Sequence, residues 1–158
     1  MTSYRGIILK LTTALSILLI SCNTITMDYG LITKDSPYDV ETTYNKLRNI
    51  IDNNPNLKIL LELDHSRNAA SVDLELSPTK IIMFGNPKLG TPLMQASNTT
   101  ALDLPQKIIV YSDNESGSKI SYNDPMYLKT RHGMSGADAI LGKVSNALDN
   151  ITNKVIAE

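Results

Sequence analysis

The sequence predicts an α+β domain, strand-helix-four strands-helix, with a mainly antiparallel sheet covered by helices on one face. Three observations carry that expectation. Val40, Tyr44, Leu47 and Ile51 recur at the spacing of a single helix face. A longer stripe of the same kind runs through Ala137, Ile140, Leu141, Val144, Ala147, Leu148, Ile151 and Val155. Lys107–Tyr111 is a β-branched run, and Lys119–Tyr122 is its hairpin partner across the polar turn 113–117. Hairpin-linked strands with separate helices are the pattern of an antiparallel sheet with helices on one side.

Residues 1–21 are expected to be an address rather than part of the fold. Arg5 and Lys10 form a basic start, and Leu11–Ile20 is an apolar run too short to span a membrane, as in a signal peptide. It ends Leu19-Ile20-Ser21-Cys22, which resembles the bacterial lipobox. That resemblance implies cleavage before Cys22 and acylation of this cysteine. Residues 22–28 then form a tether, and the protein is held at the bacterial cell envelope, on the outer membrane facing the periplasm or the cell surface. Several acyl chains together anchor firmly, where one is marginal. Cys22 is the sole cysteine, so an internal disulfide is excluded, and lipidation gives the lone thiol a use. Asn23 is not the aspartate associated with inner-membrane retention in some bacteria.

A single domain is expected over residues 29–158. Tyr29–Thr33 reads as the first strand, and Ser36-Pro37-Tyr38-Asp39 as a capping box with proline at the first helical position. Asn53-Asn54-Pro55-Asn56 stops that helix. Leu57, Ile59, Leu61 and Leu63 alternate as a strand, with Leu60 on the opposite face. Residues 64–71 read as a connection. Val72, Leu74 and Leu76 alternate with Asp73 and Glu75, and Ser77-Pro78 breaks the pattern before the strand Ile81–Phe84. Residues 97–105 read as loop. Asn123-Asp124-Pro125 caps a short helix that Gly133 ends, and the last helix is expected to open at Ser135.

The most demanding backbone is expected in Phe84-Gly85-Asn86-Pro87-Lys88-Leu89-Gly90-Thr91-Pro92-Leu93-Met94-Gln95-Ala96. Gly85 and Asn86-Pro87 turn the chain after a strand. Thr91-Pro92 reads as an N-cap with proline at the first helical position. Lys88 just before that cap, with unpaired helix N–H groups, would make a place for an anion. The plainer reading is a tight strand-to-helix connection with a solvated lysine, since the glycine spacing matches neither phosphate-loop nor dinucleotide fingerprint.

Composition and spacing narrow the chemistry. The chain has 15 basic and 16 acidic residues, no basic block and few aromatics, so nucleic-acid binding is not expected. His65 and His132 are far apart, and no ligand spacing announces a metal; no cofactor is implied. No serine sits in a nucleophile elbow. Asp103, Asp124 and His132 could do acid–base work. The plain readings are a turn residue for Asp103, a helix cap for Asp124 and a local hydrogen bond for His132. Tyr122 and Tyr127 could line a pocket or simply pack. Met83, Met94, Met126 and Met134 read as core rather than as a soft-metal site.

The motifs Phe84-Gly85-Asn86-Pro87-Lys88, Gly90-Thr91-Pro92-Leu93-Met94-Gln95, Leu102-Asp103-Leu104-Pro105, Ser121-Tyr122-Asn123-Asp124-Pro125 and Arg131-His132-Gly133 stand in this order. Together they resemble the family called domain of unknown function 302, from about Tyr29 to the C-terminus. The resemblance implies an α+β domain that pairs as a homodimer, and no established activity. The expectation is an exported, lipid-anchored domain binding a small ligand or an envelope protein without catalysis. Its site would draw Asn86, Lys88, Thr91 and Gln95 from the first stretch and Asp103 from the turn 102–105. Tyr122, Asp124 and His132 would come from the cap 122–132. The alternatives are an enzyme using Asp103, Asp124 and His132, and a structural dimerisation module.

Overall fold

The computed structural model describes residues 30–112 and 117–157. The expected signal peptide, Cys22, the expected tether and most of the turn 113–117 lie outside the described residues. The order of elements is β1 Leu31–Ser36, α1 Val40–Asp52, β2 Lys58–Asp64, α2 His65–Ala70, β3 Thr79–Gly85, α3 Pro87–Ala96, a short 3-10 helix Asn98–Leu102, β4 Gln106–Ser112, β5 Ser118–Asn123, α4 Pro125–Arg131 and α5 Asp138–Ile156. The five strands form one sheet in the order β1-β5-β4-β3-β2, and every neighbouring pair is antiparallel. The expected α+β architecture is the one present.

One face of the sheet carries Ile82, Phe84, Ile108, Val110, Ile120 and Tyr122, all buried against the helices. α1 supplies Leu47 and Ile51, and α5 supplies Leu141, Leu148 and Val155. Those are the stripes read from the sequence, and burying them is what holds two otherwise marginal helices in place. The opposite face carries Leu63, Ile81 and Ile109 in one cross-strand row and Leu61, Met83 and Lys107 in the next. Leu61 on that face is 47% exposed.

Several local expectations are corrected. β1 runs on to Ser36, whose hydroxyl meets Thr43, so the cap of α1 is Asp39, accepting from the Thr42 N–H at 2.7 Å. In β2 the pairing register shifts between Ile59 and Leu61. This bulge at Leu60 puts Ile59 opposite Phe84 on the core face and turns Leu61 and Leu63 to the open face. Residues 65–70 are helical, capped by Asp64. Val72, Leu74 and Leu76 form no strand and stand at 63%, 65% and 49% exposed. α5 begins at Asp138 with no side-chain cap, three residues later than Ser135 suggested.

Candidate functional site

The central stretch folds as one helix, not as a loop followed by a helix. Asn86 is the N-cap of α3 and Pro87 its first residue; Gly90, Thr91 and Pro92 lie inside it. This supports the plainer strand-to-helix reading over an anion site. The Asn86 side chain accepts from the Lys88 N–H at 2.9 Å, and the Asn86 carbonyl accepts from Leu89 and Gly90. Pro87 has no N–H, so the first turn leaves no donor to offer. Lys88, Thr91 and Gln95 are exposed on this helix.

α3 instead builds an apolar pocket of about 210 Å3. Its first turns contribute Asn86, Pro87, Gly90, Thr91 and Met94, and Gly85 precedes them. Leu104 and Pro105, joined by a cis peptide, form a second wall, and Lys58 and the bulged Leu60 form the rim from β2. The bulge that displaces Leu60 is thus what brings it to the pocket.

Two residues before Pro105, Asp103 meets His132. His132 Nε2 lies 2.6 Å from Asp103 Oδ2, and both residues are 9% exposed. Local structure explains their placement. Asp103 follows the 3-10 helix directly, and His132 ends α4, whose start is fixed by Asp124 accepting from the Met126 N–H at 2.9 Å. With Nε2 donating to the carboxylate, His132 Nδ1 accepts from the Thr99 hydroxyl at 3.0 Å. Arg131 Nε stands 3.4 Å from the same Asp103 oxygen, and Asn123 Nδ2 donates to the other at 3.5 Å. Lys107 Nζ donates to the Asp103 and Pro105 carbonyls at 3.1 and 3.2 Å, and burial pulls its pKa below the ordinary lysine value. A hydroxyl, an imidazole and a carboxylate are therefore joined in line.

The eight residues named from the sequence separate into groups. Asn86 and Thr91 line the pocket; Asp103 and His132 form the pair; Asp124 serves as a cap; Lys88 and Gln95 touch neither cavity wall nor pair. Tyr122 is turned into the core at 3% exposure, and burial raises its hydroxyl pKa. Thr99, Lys107, Asn123 and Arg131 join the pair without having been singled out as site residues. Among the described residues no group of three or more His, Cys, Asp or Glu side chains could hold a metal.

The family model described as Domain of unknown function DUF302 matches residues 32–151, which include both walls of the pocket and the whole pair. The chain belongs to the DUF302 family. A crystal structure of an uncharacterized conserved DUF302 protein from Bacillus stearothermophilus shares the fold at 17% identity and a TM-score of 0.71. That match covers 80% of this DUF302 chain and 98% of the other. Curated relatives are the fluoride-specific ion channel FluC 1 of Brucella suis and that of Brucella abortus, each 34% identical over 121 residues. The match takes in 75% of this chain but only 47% and 44% of those proteins, so the chain spans under half their length. No helix among the described residues is long and apolar enough to cross a membrane.

Proposed function

We propose that this DUF302 chain is a lipid-anchored envelope domain that binds a small, largely apolar ligand without catalysis. The pocket between α3 and Leu104–Pro105 is the observation that carries the reading. It is concave, apolar-walled and framed by glycines that keep side chains out of it, features typical of small-molecule sites. The channel activity in the relatives' names belongs to proteins of which this chain spans under half. An accessory domain beside a membrane protein suits both that relation and the lipobox-like Cys22. Homodimer formation is supported by the open face of the sheet, where Leu61, Leu63, Ile81, Met83 and Ile109 stand opposite the face buried by α1 and α5.

Native mass spectrometry of the protein purified from the producing cell tests ligand and dimer together. Gly90 is helical and a Cβ there meets only Leu104, at 3.9 Å, so Gly90→Leu fills the pocket without backbone strain. An adduct on the wild type that is absent from Gly90→Leu is the expected result. The same adduct on both proteins places the ligand elsewhere and rejects the site.

A second reading rests on the 2.6 Å contact between His132 and Asp103, with Thr99 on the other ring nitrogen. A hydroxyl held by a base that a carboxylate orients is the arrangement of an activated nucleophile. Ester turnover that vanishes in both Thr99→Val and His132→Ala would favour an enzyme; no turnover leaves the pair as a structural clasp.

A further inference from the structure

The wall of the pocket between α3 and Leu104–Pro105 carries one charge. Leu60, Pro87, Met94, Leu104 and Pro105 make it apolar, no Asp or Glu stands in it, and Lys58 is its single ionisable residue. Lys58 opens β2 opposite Gly85 and is exposed. Its ammonium makes no hydrogen bond or ion pair with another described residue. The acids of the same strand are engaged elsewhere. Glu62 accepts from Tyr44 and Arg48, and Asp64 caps α2. The two polar side chains of the wall keep free donor capacity. Asn86 gives its Oδ1 to the Lys88 N–H, which leaves Nδ2, and the Thr91 hydroxyl bonds no described residue.

We infer that the pocket holds the chain of a short aliphatic carboxylate of octanoate size, whose head meets the Lys58 ammonium at the mouth. The inference rests on the pocket reading above and names the ligand class. A lysine in a wall that is otherwise almost wholly apolar lies there by its methylene stem, keeping the ammonium at the water's edge. An amphiphile matches such a surface, its chain in the recess and its head on the hydrated cation. The volume of about 210 Å3 lies below the range of sites for drug-sized ligands, which limits the chain to a short one. The sign of the head follows from the lining. A cationic head would meet Lys58 with no carboxylate in the wall to offset it, and the free donors of Asn86 and Thr91 need an acceptor. One cation balances one negative charge, which suits a carboxylate better than a doubly charged phosphate. The head stays at the mouth, so no bare charge is buried. This place lies on β2 and is not the N-terminus of α3, whose first turn is already capped.

Octanoate, octanol, octylammonium and octyl phosphate share a chain and differ in the head. Each is titrated into the purified protein at low salt and followed by methyl NMR shifts. Octanoate is expected to bind about tenfold more tightly than octylammonium, or about 1.4 kcal/mol, with octanol between them and octyl phosphate no tighter than octanoate. An exposed ion pair is modest, so attraction in one probe and repulsion in the other together make a difference of this size. The gap is expected to narrow at high salt. Lys58→Gln is expected to level octanoate and octylammonium, and Lys58→Glu to reverse their order. Both variants change an exposed side chain, and urea midpoints near that of the wild type show the fold intact. Gly90→Leu is expected to abolish binding of every probe. Equal binding of octanoate and octylammonium, an order that Lys58→Glu does not reverse, or tighter binding of octyl phosphate overturns the carboxylate assignment. Octanol binding that is lost in Gly90→Leu then leaves the pocket reading standing. Binding of none of the probes, in a protein that also carries no adduct, overturns both.

Discussion

The clasp between Asp103 and His132 makes a quantitative prediction. His132→Ala removes a 2.6 Å hydrogen bond to a buried carboxylate and strands that carboxylate, with Arg131 at 3.4 Å and Asn123 at 3.5 Å as its remaining side-chain partners. Leaving a buried charged acceptor without its donor costs upward of about 3 kcal/mol when nothing compensates. Arg131 is half-exposed and already close, so about 3 kcal/mol is expected. Asp103→Asn keeps the shape and loses the charge, at about 1–2 kcal/mol. In the double variant the stranded carboxylate no longer exists, so the two losses will fall short of additive by about 1.5 kcal/mol. Urea denaturation measures this directly. With a slope of about 2 kcal/mol/M, the midpoint of His132→Ala falls by about 1.5 M. Single-variant losses that add within about 0.5 kcal/mol would show that the two side chains are not coupled, and the clasp would have to be abandoned.

Gly30→Ala is expected to destabilise by about 3 kcal/mol or more, since φ is +67° and a Cβ would lie 2.1 Å from the Tyr127 ring. Adding Tyr127→Ala should return part of that loss in a thermal melt. Lys34→Met is expected to cost about 1–2 kcal/mol in urea, because Nζ bonds Asp149 at 2.6 Å, Thr152 at 2.9 Å and Asn153 at 2.6 Å across β1 and α5. In acid, the carboxyls of Glu41 (held by Lys80), Asp64 (by Ser66), Asp138 (by Lys129) and Asp149 (by Lys34) all have lowered pKa values. The unfolded chain then takes up protons first, so this stabilisation is fully present above the unfolded values of 3.8 and 4.5 and is lost as pH falls through the lower folded ones. A melting temperature that rises between pH 5 and pH 3 would contradict the assignment.

What could be read from the chain was whatever short-range physics decides. The stripes of α1 and α5, the strands at β3, β4 and β5 and the Asp124–Pro125 cap were all visible, because periodicity and capping act within a few residues. Thr91-Pro92 misled for the same reason. Asn86-Pro87 carries an equivalent local signal five residues earlier, and the chain starts its helix there, tolerating Pro92 within it. Residues 72–76 had strand-like alternation but no neighbour to pair with, since β3 is already bonded to β2 and β4. The bulge at Leu60 inverted half of a correctly recognised strand. Of the candidate site, the segments were legible and the contacts were not. Asp103 and His132 lie 29 positions apart. Which of Asp103, Asp124 and His132 would touch is a product of where α4 and the 3-10 helix dock on the sheet, which no local pattern encodes.

The place of β1 in the sheet has a mechanical consequence. It is the described strand nearest the N-terminus and lies at the sheet edge, bonded to β5 alone. Any tension entering from the N-terminal side is therefore borne by one ladder and by the Lys34 cluster on α5, and not by the interior strands. β1 would be the first strand to tear away, uncovering Ile32 and the edge of β5 while β2, β3 and β4 stay paired. Load applied from the N-terminal side would thus open the sheet at the end away from the pocket wall, leaving Lys58, Leu60 and Gly85 in place.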